Sequence, residues 1–136
     1  MPSSHPPKRM SEAALRDAAT HYLARFSTSA ANLRRVLGRK ALRSACLYGD
    51  DPAPLMAAID AIVAAFVANG AVDDALYARA QLEKLRRRGG STRVIRARLG
   101  AKGLDSETID AALTETGLDS GDLPAARALA RRRRLG

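Results

Sequence analysis

A short helical pattern occurs twice in this chain. The first copy is SAANLRRVL (residues 29–37) and the second is STRVIRARL (residues 91–99). Each opens with a serine able to cap a helix and then places apolar residues four apart, with arginines between them. A second echo follows, because Ile59-Asp60-Ala61 recurs as Ile109-Asp110-Ala111. A supersecondary unit that is used more than once favours stacked helical repeats over a fold built around a ligand pocket.

Helical spacing of apolar residues continues along most of the chain, and no segment alternates convincingly as a strand does. The predicted fold is therefore all-α, with tandem three-helix repeats in an elongated body. Prolines without periodicity predict a disordered tail at the start. The predicted segments are a tail over residues 1–10, repeat 1 over residues 11–72, repeat 2 over residues 73–118, and the first helix of an incomplete repeat 3 over residues 119–136.

Local signals leave some details open. Either Asp73 or Asp74 can cap the first helix of the second repeat. Gly38 weakens the second helix, so residues 40–48 fit a further helical turn or a loop. Tyr22 and Tyr77 fall on apolar helix faces and are expected in the core. In the second repeat the predicted apolar face consists of Leu76, Tyr77, Ala80, Leu85, Ile109, Ala112 and Leu113, and the short middle helix bears Val94, Ile95 and Leu99.

The formal net charge of +9 is arranged in blocks. Residues 25–43 contain six basic and no acidic residues, and residues 75–98 contain eight basic residues against Glu83 alone. Basic bands favour a polyanion or an acidic protein surface as the partner. For the 86–88 triplet the alternative is a solvated helix end stabilised by the helix dipole. The residues expected to contact the partner are Arg34, Arg35, Arg39, Arg86, Arg87, Arg88, Arg93 and Arg96.

Catalytic and metal chemistry have little support in the sequence. His5 and His21 have no cysteine or second histidine at metal-ligand spacing. Asp73 and Asp74 are adjacent and do not face each other on a helix. The lone Cys46 excludes an intrachain disulfide and agrees with a reducing cytosol. We therefore predict no catalytic residue, no metal and no cofactor, in a cytoplasmic protein without a membrane span.

Several motifs extend over most of the chain. They are YLAR at 22–25 with Ser29 and LRRVL at 33–37, GAVDDALYA at 70–78, and Lys102-Gly103-Leu104 after Gly89, Ile95 and Leu99. In this combination, from about Leu15 to Leu113, the sequence resembles the RecX family of bacterial recombination regulators. The resemblance implies tandem three-helix repeats in a long curved body. It also implies binding to RecA, in the groove of its filament on single-stranded DNA, with inhibition of recombinase and ATPase activity. Family members commonly carry a complete third repeat.

A second hypothesis is a small helical transcription or architectural factor. A helix-turn-helix around Gly89 and Gly90 would place residues 92–99 in a major groove. Its contacts would be Arg93, Arg96 and Arg98, without the Asn or Gln that read adenine. The scarcity of aromatic residues argues against a base-stacking platform. The sequence thus favours a monomer that makes non-specific phosphate contacts within the RecA filament.

Overall fold

The computed structural model describes residues 9–117, and every helix or strand in that range is an α-helix. The all-α prediction is confirmed. The chain divides into two compact units between Val72 and Asp73. The predicted helix within residues 119–136 lies outside the described residues. The helices are α1 (Glu12–Arg25), α2 (Ala30–Tyr48) and α3 (Ala53–Ala68) in unit 1, and α4 (Asp74–Arg87), α5 (Thr92–Ala101) and α6 (Ser106–Glu115) in unit 2.

Unit 1 buries one apolar stripe from each of its helices. Ser11 and Ser29 cap α1 and α2, because their Oγ atoms accept hydrogen bonds from the backbone N–H three residues on. Each fully buried leucine or isoleucine contributes about 1.5–3 kcal/mol to folding. The buried core residues are Leu15, Ala19, Leu33, Leu37, Ala41, Ile59, Ile62, Val63 and Val72.

Helix α2 takes the longer of the two forms that the sequence allows. It continues past Gly38 to Tyr48, so residues 40–48 form helix and not a loop. Beyond Gly38 the side chains of Ala41, Ser44 and Ala45 extend the buried face. Their packing compensates for the conformational freedom of the glycine. The helix ends where Gly49 takes the left-handed conformation with φ +69°.

Two residues of the predicted tail are held against unit 1. The Met10 N–H donates a hydrogen bond to the Ser44 Oγ at 2.8 Å. The Arg9 guanidinium donates to both carboxylate oxygens of Asp50 and lies over the Tyr48 ring, 5.3 Å from its centroid. These hydrogen bonds hold the pKa of the Asp50 carboxyl below its ordinary value. Arg9 and Met10 are therefore held in place by Ser44 and Tyr48 of α2 and by Asp50, which follows that helix.

Unit 2 repeats the three-helix arrangement, with aspartate caps on its first and third helices and a serine cap on its second. Asp73, not Asp74, caps α4 by accepting from the Leu76 N–H, and Ser91 caps α5. Asp105 caps α6, and the hydrogen bond from the Thr108 N–H lowers the pKa of its carboxyl. The buried core residues are Ala78, Leu82, Leu85, Ile95, Leu99, Leu104, Ile109, Ala112 and Leu113.

The predicted inner face of α4 is wrong at two positions. Leu76 is 57% exposed, and Ala80 is also exposed. Ala78, Leu82 and Leu85 fill the core instead, at the i, i+4, i+7 spacing of one helix face. In α5, Val94 is likewise exposed while Ile95 and Leu99 are buried. Tyr77 and Tyr22 are both half-buried and pack against the cores of their units, as predicted.

Candidate nucleic-acid interface

The predicted contact arginines fall into two groups, one in each unit. Arg34, Arg35 and Arg39 lie on α2, where all three are exposed. The other five lie at the end of α4 and on α5, where Arg96 is half-buried and the rest are exposed. Each group is therefore accessible to a partner, apart from those members that already pair with a carboxylate.

An ion pair recurs at the same position of both units. Arg34 Nε lies 3.4 Å from Asp60 Oδ1, and Arg96 Nη1 lies 2.5 Å from Asp110 Oδ1. In each unit the pair joins the second helix to the third. The two sequence echoes therefore meet in space, because one supplies the arginine and the other the aspartate. Arg34 and Arg96 are partly neutralised and are weaker candidates for partner contact than the sequence suggested.

The recurrent pair is expected to contribute little to stability because its side chains keep 42–74% of their surface in contact with solvent. Exposed pairs typically contribute about 0.2–1 kcal/mol. We expect a double-mutant cycle of Arg96→Ala and Asp110→Ala to give a coupling energy below about 1 kcal/mol, measured by urea unfolding, and to shrink in ~1 M salt. The cycle of Arg34→Ala and Asp60→Ala is the matched control. A coupling energy above ~2 kcal/mol in either unit would show that the pair is a structural requirement.

Most of the other predicted arginines have no carboxylate partner within residues 9–117. Arg86 lies 3.9 Å from Glu83 on its own helix, at the limit of an ion pair. The remaining members make no ion pair with a described residue: they are Arg35, Arg39, Arg87, Arg88 and Arg93. These five keep their full charge for a partner.

Four cations surround one concavity in unit 2, here called the basic concavity. It has a volume of about 470 Å³ and lies between α4 and α5. Among residues 9–117 no carboxylate lines it, and the neutral lining residues there are Gln81, Leu85 and Ala101. The four cations are Lys84, Arg88, Arg98 and Lys102.

The electrostatics of the basic concavity favour an anion. Lys84, Arg88 and Arg98 make no ion pair with any described residue. The C-terminal ends of α4 and α5 stabilise nearby cations by about 0.3–1 kcal/mol each, which offsets part of their mutual repulsion. A phosphate would offset more, because it accepts charge-assisted hydrogen bonds from both lysine and arginine. The four cations of the basic concavity outnumber Gln81, the one lining amide in the described chain, so contacts to phosphates would outweigh base readout.

Sequence reasoning missed three of these four cations as partner contacts. Arg88 is the one member of the four that the sequence predicts as a partner contact. Arg98 is a contact in the helix-turn-helix hypothesis instead. A signal was present, since Lys84 and Arg88 are four apart on one helix and Arg98 and Lys102 are four apart on the next. Like charges at i,i+4 destabilise a helix slightly, so two such pairs in succession point to a ligand.

The helix-turn-helix hypothesis loses two of its three contacts. Arg96 pairs with Asp110, and Arg98 lines the basic concavity beside α4. Of the three, Arg93 is exposed, makes no ion pair with a described residue and does not line the basic concavity. A single arginine provides too few base contacts for a recognition helix, which uses several side chains.

Other kinds of site find no support among residues 9–117. No group of three or more His, Cys, Asp or Glu side chains there could hold a metal ion. His21 and Cys46 are both exposed. No helix in this range combines the length and apolar character needed to cross a bilayer.

Two comparisons with known proteins bear on these surfaces. A family model described as "RecX, second three-helix domain" matches residues 73–113, a segment that contains every lining residue of the basic concavity. "Regulatory protein RecX" of Myxococcus xanthus (strain DK1622) is 36% identical over 130 residues, which cover 96% of this chain and 70% of that protein. No solved structure matches the chain significantly.

Proposed function

Because the chain belongs to the RecX family of regulatory proteins, we propose that it binds RecA and the RecA filament on single-stranded DNA and inhibits recombinase and ATPase activity. In this role it modulates DNA recombination and repair as a binding protein without a catalytic centre. The observation that carries the proposal is the basic concavity, because four cations with no carboxylate from the described part of the chain suit the phosphates of a nucleic acid.

The basic concavity accounts for the DNA side of this function. Each lysine or arginine that neutralises a phosphate of a single strand releases counterions and adds about 0.7 to the log–log slope of affinity against salt. Four such contacts bind tightly at low salt without reading sequence. This suits a regulator that acts wherever a filament forms.

The outer face of α2 is the surface that we expect to contact the RecA protein. This helix contains no acidic residue, and its exposed surface places Leu42 beside Arg35 and Arg39. Leu42 is 50% exposed. An exposed leucine gains nothing from a phosphate, but it contributes to a protein interface whose rim is acidic. We assign this face, rather than the basic concavity, to an acidic surface of RecA.

Inhibition would then follow from occupancy of surfaces. A protein that holds both the DNA and the recombinase of a filament opposes the exchange of subunits and the conformational cycle that ATP hydrolysis requires. No bond is made or broken by the regulator itself.

The direct test is RecA-dependent ATP hydrolysis on single-stranded DNA, titrated with the chain. We expect progressive inhibition, and tighter binding to RecA-coated strands than to bare duplexes of several sequences. A RecA-independent ATPase serves as the control and should keep its rate. Absence of inhibition at one regulator per RecA, or preference for one duplex sequence, would contradict the proposal and favour the transcription-factor hypothesis.

A further inference from the structure

A groove follows one side of α1 in unit 1, here called the α1 groove. Its volume is about 430 Å³. Ala14, Ala18 and Tyr22 are spaced four apart on α1 and therefore share one face of that helix. Two further apolar lining residues extend this stripe, one before the helix and one at its C-cap. With a rise of about 1.5 Å per helical residue, the part of the stripe on α1 is roughly 12 Å long, which corresponds to about two turns of a partner helix. The stripe consists of Met10, Ala14, Ala18, Tyr22 and Phe26.

The stripe has a shape and exposure that suit a docked helix. Ala14 and Ala18 are small and half-buried in its middle, which allows close approach of another helix. Phe26 leaves 53% of its surface exposed at one end. Its ring packs on Tyr22 with centroids 4.9 Å apart, so one of its sides is already supported. The whole chain has only five Phe and Tyr residues, and two of them line this groove.

The charges around the groove specify the partner. Arg25, Lys40 and His21 line it together with one carboxylate, Asp17. Arg25 and Lys40 make no ion pair with a described residue. An occupant with carboxylates along one edge would meet two permanent cations and a histidine. A strand of nucleic acid fits less well, because the apolar stripe gains nothing from phosphates and Asp17 repels them.

The chain itself supplies no acidic occupant outside its described residues. Residues 1–8 contain no Asp or Glu, and residues 118–136 contain five arginines against two aspartates. A second copy of the chain is also disfavoured, since each copy carries a formal net charge of +9. The occupant is therefore expected to come from a different, acidic molecule.

We propose that the α1 groove docks an acidic amphipathic helix of another protein. Apolar side chains of that helix would pack along the stripe between Met10 and Phe26, and its carboxylates would meet Arg25 and Lys40. This goes beyond the proposed function, because it requires neither DNA nor the recombinase.

The test uses a fluorescein-labelled helical peptide of about four turns, with Leu and Phe on one face and Glu along its edges. Fluorescence anisotropy with the full chain is expected to show saturable binding. Lys40→Glu should raise the Kd about tenfold, since it places like charges together. The matched control is Arg43→Glu, on the same helix but outside the groove lining, which should change the Kd less than twofold. Phe26→Ala should raise the Kd about fivefold with an unchanged circular dichroism spectrum.

Specific outcomes would overturn the proposal. These are equal effects of Lys40→Glu and Arg43→Glu, or equal binding of a peptide whose Glu residues are replaced by Lys. Displacement of the peptide by an oligo-dT strand would assign the groove to nucleic acid instead. Tighter peptide binding after deletion of residues 1–8 would make that segment the occupant, and a dimer abolished by Lys40→Glu would make it a second copy. Inhibition of RecA-dependent ATP hydrolysis is a separate readout, so failure here leaves the proposed function standing.

Discussion

Replacing the four cations of the basic concavity together by glutamine is expected to weaken binding to an oligo-dT strand about 100-fold in low salt. Each lost phosphate contact removes about 0.7 from the slope of log affinity against log salt, so four contacts reduce the slope by up to ~2.8. Fluorescence anisotropy across a salt titration measures both quantities. Helical content should not change, because the four side chains line a surface and none belongs to the core of unit 2.

A charge-matched control separates a local site from a general effect of net charge. A second variant should lose the same four charges elsewhere, at Arg16, Arg25, Arg43 and Arg79, none of which lines the basic concavity. We expect it to lose less than about tenfold in affinity, because screening limits the reach of exposed charges to ~10 Å at 0.1 M salt. If both variants lose affinity equally, the basic concavity is not a distinct binding site.

Leu99→Ala is expected to unfold unit 2. The side chain is fully buried between the three helices, and deletion of a buried leucine costs about 2–5 kcal/mol. A unit of this size seldom has more than ~3–5 kcal/mol of stability to lose. Hydrogen exchange should show loss of protection throughout α4, α5 and α6. Leu37→Ala, at the equivalent position of unit 1, should do the same to α1, α2 and α3.

Leu76→Ala is the control for that experiment. Leu76 is 57% exposed, so its removal should change the free energy of unfolding by less than about 0.5 kcal/mol. The comparison also tests the observed face of α4, since the sequence had placed Leu76 inside. Equal loss of protection with Leu76→Ala and Leu99→Ala would contradict the packing of unit 2.

The sequence predicts the helix caps and the buried positions well where they depend on residues only three or four apart. Ser29 and Ser91 cap their helices as expected, because a capping hydrogen bond spans only three residues. Leu33 with Leu37, and Ile95 with Leu99, are buried as the four-residue spacing predicts. The sequence does not determine which face of α4 is buried, because Leu76 and Leu82 both have apolar neighbours at helical spacing. Only the packed core selects between them.

The class of fold, the caps and the surplus of positive charge follow from the amino-acid sequence, since they depend on residue type and on neighbours within a helical turn. The meeting of particular charges is set by the tertiary structure. It pairs Arg34 with Asp60 and Arg96 with Asp110, and it brings Lys84 and Lys102 to one concavity from two different helices. The distances between charged side chains on different helices follow from how the helices pack. That packing depends on the whole unit and cannot be predicted from one segment alone.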